Sequence, residues 1–206
     1  MDISSEKRSD LLTVALREHF SEREANNKAK KALARVWLNP PPEAAAMITW
    51  ALRNPQEFPD RRLMHAGALI ATFPFVGGLL AMVGRQHSID EVVTIVDLRR
   101  RAQDRWGATS TVREGVSKAI TTLRRLDVVE GGGRSPIEPT SLSSSAMASS
   151  WLVHAIMLTR GVQSIDTHDA LHAPELCWVD GLKPTQVYPF LDVHTEGTNR
   201  RVWATN

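Results

Sequence analysis

The sequence predicts a mainly α fold in three stretches: an N-terminal helical bundle (1–73), a central helix–turn–helix with a glycine-tipped hairpin (74–139), and a small C-terminal α/β element of one helix and short strands (140–206). Three observations carry this. Apolar residues recur at helical spacing through most of the N-terminal half. The run VVEGGGRSPIE, residues 128–138, breaks that spacing with two valines, three glycines and a return segment. The last thirty residues hold short β-type runs, CWV, VYPFLDV and RRVWAT.

Taken in order, Leu11, Leu12, Ala15, Leu16 and Phe20 predict a first helix over about 5–20. Ser21 and Glu24 have capping-box spacing, which places a second helix over about 22–37. NPPPE at 39–43 stops it and starts a third, with Met47, Trp50 and Ala51 inward. A fourth helix spans about 60–72, and Pro74 opens a fifth that runs to about Gln86. SIDEVVTIVDL (88–98) reads either as a short strand before DLRRRAQDRW or as an extension of that helix. Gly107 ends the segment. Thr111 and Glu114 have capping-box spacing for the next helix, whose apolar face is Val112, Val116, Ala119, Ile120 and Leu123. Asp127 ends that helix. Pro136 and Pro139 are expected to shorten the return strand of the hairpin. SLSSSAMASS has a linker's composition, yet Met147, Trp151, Ala155 and Leu158 keep helical spacing up to Gly161, which predicts a helix over about 143–160. In the terminal strands Trp178, Phe190 and Trp203 supply apolar surface to bury.

The chain has 206 residues, enough for a sizeable core. Hydrophobic residues at 42% and charged residues at 23% place it among globular proteins rather than disordered ones. One cysteine, Cys177, excludes an internal disulfide, and the opening residues hold no apolar signal region, so a cytoplasmic location is expected. Residues 66–84 carry no charge over 19 positions, about a bilayer span. Pro74, Gly77 and Gly78 instead predict two buried helices, so no membrane partner is expected.

The net charge of +2 is too small to imply a partner, but its distribution is informative. Residues 97–134 hold nine basic and five acidic residues, a local +4, while 135–206 sum to −3. The glycine run inside the basic stretch is not a nucleotide-binding loop. Such a loop runs strand, glycines, helix, so that the helix N-terminus faces the phosphates. Here the glycines follow a helix and a strand, and no Gly-Lys-Ser/Thr follows them.

The order helix, turn, helix, strand, glycine loop, strand over about residues 74–139 resembles the winged-helix DNA-binding domains. PFVGGLLAMVGRQ stands for the first helix, DLRRRAQDRW for the second, TVREGVSKAITTLRRL for the third, and VVEGGGRSPIE for the wing. The resemblance implies that the third helix enters the major groove and the wing tip touches the backbone or minor groove. On this sequence that falls to Ser110, Thr111, Arg113, Ser117, Lys118 and Thr121, with Arg134 at the wing. The chemistry suits a duplex, because Arg and Lys displace phosphate counterions and hydroxyls near a helix start hold phosphate oxygens. The plainer reading is a solvated helical surface at Arg99, Arg100, Arg101, Arg105, Arg124 and Arg125. The expected partner is double-stranded DNA, and the expected role is non-enzymatic, with no cofactor. Two roles fit: transcription regulation, or the DNA-binding accessory subunit of a bacterial nucleic-acid or antiviral defence complex. Further expected partners are a second copy of the chain or a larger protein complex, and the alternative function is an assembly subunit whose winged helix binds only protein.

His168 and His172 are four apart in DTHDALH, a spacing able to share a metal on a helix. Neither H-E-x-x-H nor a second paired motif accompanies them, so no metal is expected. No nucleophile-elbow or Ser–His–Asp context is present.

Overall fold

The computed structural model describes residues 5–19, 23–184, 187–196 and 199–205. The fold is mainly helical with small sheets. Helix α1 (Ser5–His19) buries Leu16 while Leu11 stays 55% exposed, so its apolar face is only partly used. Helix α2 (Arg23–Leu33) continues as a π-helical turn, Ala34–Leu38. Phe20 and the Ser21–Glu24 capping box lie outside the described residues or side chains. Helix α3 (Pro42–Arg53) starts at a proline and buries Met47, Ile48 and Ala51.

Helix α4 (Arg61–Thr72) and helix α5 (Pro74–His87) meet at Phe73 with a bend of 112°. Asp60 caps α4 by accepting the Arg62 backbone N–H at 2.8 Å. Pro74 occupies the first turn of α5, where its missing N–H costs nothing. The uncharged run is thus two packed helices, and no single described helix is long and apolar enough to cross a membrane.

Helix α6 (Ile95–Trp106) has Thr94 and Asp97 as a reciprocal capping box. Residues 91–94 precede it without regular structure, so SIDEVVTIVDL forms no strand and lengthens the helix only from Ile95, and Ser88 and Glu91, which also have capping-box spacing, do not open it. The box at 94–97 does, because both of its bonds form there. Helix α7 (Ser110–Arg125) is capped by Thr109, which accepts the Val112 N–H at 3.2 Å. The spacing at Thr111 is therefore a false match. Thr111 lies inside the first turn, and Glu114 pairs with Lys118 instead.

Strands β1 (Val129–Gly132) and β2 (Ser135–Pro139) form the antiparallel hairpin. Both prolines lie within β2, contrary to expectation. The pairing shifts between Gly131 and Gly132, leaving Pro136 as the extra residue of a bulge, where no ladder donor is needed. Gly131, Gly132 and Gly133 all have positive φ, so the tip uses conformations that side chains rarely take. On its outer edge the Ile137 N–H donates to the Val93 carbonyl at 2.7 Å, which ties the hairpin to the segment before α6.

Strand β3 (Leu142–Ser143) leads to helix α8 (Ala146–Arg160), capped by Ser145 and ended by left-handed Gly161. Helices α4 and α8 approach closely because position 67 is glycine. A methyl group there would lie 2.0 Å from the Trp151 ring. Strand β4 (Ser164–Asp166), helix α9 (Thr167–Leu171), strand β5 (Val179–Asp180), strand β6 (Leu191–Glu196) and strand β7 (Asn199–Ala204) complete the chain. The terminal sheet has order β4–β7–β6, all antiparallel, and β3 pairs with β5 in parallel. Trp178 is fully buried, but Trp203 faces outward at 38% exposure. Strand alternation decides this, since neighbouring Val202 takes the inward position. One continuous cluster of buried side chains, from Val36 to Val202, draws on all three stretches.

Candidate nucleic-acid interface

Helix α7 holds the candidate surface because its sequence divides cleanly. Val116, Ala119, Ile120 and Leu123 are buried, which turns the opposite face to solvent. Arg62 fastens the far end of this helix by bridging Asp60 and Asp127 at 2.5 and 2.7 Å. The Arg62 guanidinium, chiefly through its hydrogen bonds, holds the Asp60 carboxyl below the usual carboxylate range. The start of α6 is fixed by Thr94, whose hydrogen bonds likewise lower Asp97.

The expected site residues divide into three groups. Ser110, Thr111 and Arg113 are exposed in the first turn of α7. Arg134 is exposed at the hairpin tip. The middle of the helix is more occupied. Lys118 is exposed but paired with Glu114 at 3.2 Å. Ser117 donates to the Arg113 carbonyl at 3.2 Å and accepts Arg99 Nη2 at 2.8 Å. Thr121 donates to the Ser117 carbonyl at 2.8 Å. A hydroxyl has one proton. Ser117 and Thr121 must therefore rotate before either donates to a phosphate oxygen.

Arg124, read from sequence as solvated surface, belongs to the same face as Arg113, and Arg125 lies about a quarter-turn further round the helix. Eleven residues separate Arg113 from Arg124, which is close to three full turns, so they point the same way. Arg124 packs beside the hairpin: a methyl on Gly132 would sit 3.6 Å from its Cδ. Together with Thr121, Asp127, Glu130 and Gly131 it lines a groove between α7 and β1. Among the described residues the side chains of Arg113, Arg124, Arg125 and Arg134 make no ion pair. Helical periodicity carried the signal for Arg124, but only the hairpin's position gives it a neighbour.

His168 and His172, in the acidic C-terminal third, line a different cavity, shared with Arg85, Arg105 and Trp106 of α5 and α6. His168 and His172 stack at 4.3 Å, and His172 Nδ1 lies 2.9 Å from the His168 carbonyl. Burial pushes the Cys177 thiol up to about 12, far from a nucleophile's range. Buried Glu175 is closed by two hydrogen bonds from Arg160 at 2.6 and 2.9 Å.

No family model, curated protein or solved structure matches the chain.

Proposed function

We propose that this chain is a non-enzymatic double-stranded DNA-binding protein that docks as a winged helix, with α7 in the major groove and the β1–β2 hairpin on the adjacent backbone. The order α5, α6, α7, β1, β2 supports this reading, as does the hydrogen bond from β2 to Val93, which supplies the third edge such a hairpin rests on. The observation that carries it is a set of four exposed arginines without ion pairs among the described residues, Arg113, Arg124 and Arg125 along α7 and Arg134 at the hairpin tip. Guanidinium groups not engaged within the protein are the groups that displace counterions from phosphates, and near a helix start they also reach guanine edges. The chain then serves as a regulator, or as the DNA-binding accessory subunit of a nucleic-acid or defence complex.

Fluorescence anisotropy of a labelled duplex, repeated across salt concentrations, tests the proposal. Four phosphate contacts give a slope of log affinity against log salt of about −3 to −4. A slope near zero, or no binding at low salt, removes it. The second reading, an assembly subunit that binds protein through this region, rests on Ile89, Val92 and Val96. These three aliphatic side chains are 60–69% exposed around the entry to α6.

A further inference from the structure

On the flank of α7 away from the hairpin lies a cavity of about 540 Å³. Its walls come from the π-helical turn, α4, the α4–α5 corner and α7. Trp37, Leu69, Phe73, Phe75 and Leu126 give it a mostly aromatic and aliphatic surface. Ala119 and Gly115 keep the α7 side shallow. Among the described residues lining it, Lys118 is the single charged side chain. His65 meets Trp37 edge-on at 5.3 Å. Burial, and then the nearby Arg61, hold the His65 imidazole below its ordinary pKa, so it adds no charge near neutral pH.

The size is that of a small-molecule site, and so is the composition, apolar walls with very few polar groups. Water in such a space finds few partners, and an apolar ligand that displaces it gains by burial. The wall at Val36 and Trp37 is a π-turn, a distortion that occurs frequently at functional sites. Charge fixes the ligand's class. Lys118 is the cation among the lining residues, with Arg35 over the Phe73 ring at 5.3 Å and Arg61 near His65, so the rim favours an anionic group and the aromatic walls suit flat rings. Lys118 is 79% exposed, and its pair with Glu114 is a surface pair, so changing partner costs little.

We propose that this cavity binds an aromatic monocarboxylate of two or three fused rings, with the rings between Trp37, Phe73 and Phe75 and the carboxylate on Lys118. The inference does not depend on DNA binding. The test is calorimetric titration of the full chain with 2-naphthoate and with neutral 2-naphthamide. Ala32 and Thr122 are exposed rim positions, so Ala32→Phe and Thr122→Phe fill the cavity from outside, and far-UV dichroism checks each fold. The expected result is one site for 2-naphthoate, weakened by at least about tenfold in either filled variant. Lys118→Gln should weaken 2-naphthoate severalfold and leave 2-naphthamide unchanged. If one filled variant does not fold, the other carries the same test. Absence of binding at millimolar 2-naphthoate overturns the proposal, as does undiminished binding in a folded, filled variant. Equal affinity of parent and Lys118→Gln for 2-naphthoate overturns the placement of the carboxylate. No 2-naphthoate binding, together with a dimer in sedimentation that Ala32→Phe dissociates, would give the cavity to a second copy and also overturn it.

Discussion

His154 lies in helix α8, 6% exposed, with Nδ1 3.2 Å from the Tyr188 hydroxyl and its ring against Tyr188 and Phe190. Burial disfavours the imidazolium and holds the group down at about 4, against 6.5 when exposed. The unfolded chain therefore takes up a proton that the folded chain refuses as pH falls from 6.5 to 4. Stability is full above 6.5 and is lost progressively below it. Linkage gives a loss of about 2 kcal/mol between pH 8 and pH 5, growing to about 3 kcal/mol below pH 4. In a chain of this size that is roughly 4–8 °C of melting temperature by pH 5. His65 shifts in the same direction and adds to the same window, so the test is a difference. In His154→Phe the Tyr188 hydroxyl loses its partner, a pH-independent cost of about 1–3 kcal/mol. Urea melts of parent and variant at pH 8 and pH 5 separate the two effects. The variant should start less stable and lose about 2 kcal/mol less on acidification. Equal pH dependence in the two proteins would mean that His154 does not carry this loss of stability.

Gly67→Ala should destabilise by about 2 kcal/mol or more, although alanine is the better helix former by about 1 kcal/mol, because its methyl meets the Trp151 ring. Denaturant unfolding checks this. Gly131→Ala should disorder the hairpin alone, since the new methyl would lie 1.5 Å from the Pro136 carbonyl oxygen at a φ of +75°. Gly133→Asn, at φ +66° with open space around it, should be tolerated, and amide exchange across residues 129–139 distinguishes the two.

Much of this architecture is legible in the sequence where a residue has one use. Pro74 starts a helix because no other element accommodates it after an apolar run. Gly161 ends one in the left-handed conformation. The apolar face of α7 follows from 3.6-residue spacing. Where a residue has two uses, sequence alone misplaces it. Thr109 and Thr111 both stand before apolar residues at helix-start spacing, and the chain's exit from Gly107 decides for Thr109. Pro136 weakens an ordinary strand but suits a bulge, which only the pairing register reveals. Ser117 and Thr121 look like free donors in a sequence, yet helical geometry offers each a carbonyl four residues back. Arg124 looks like surface until the hairpin folds beside it.

DNA affinity of the Arg124→Ala, Arg134→Ala double variant, measured against salt beside the parent, shows whether the α7–hairpin surface meets DNA. Both residues are exposed and lack ion pairs among the described residues, so the fold should hold to within about 0.5 kcal/mol for each substitution. If each arginine neutralises a phosphate, the variant binds the duplex more weakly and its log-salt slope is shallower by about 1.8. A folded double variant that keeps the parent's affinity and slope would contradict the claim that the α7–hairpin surface is where this protein meets DNA.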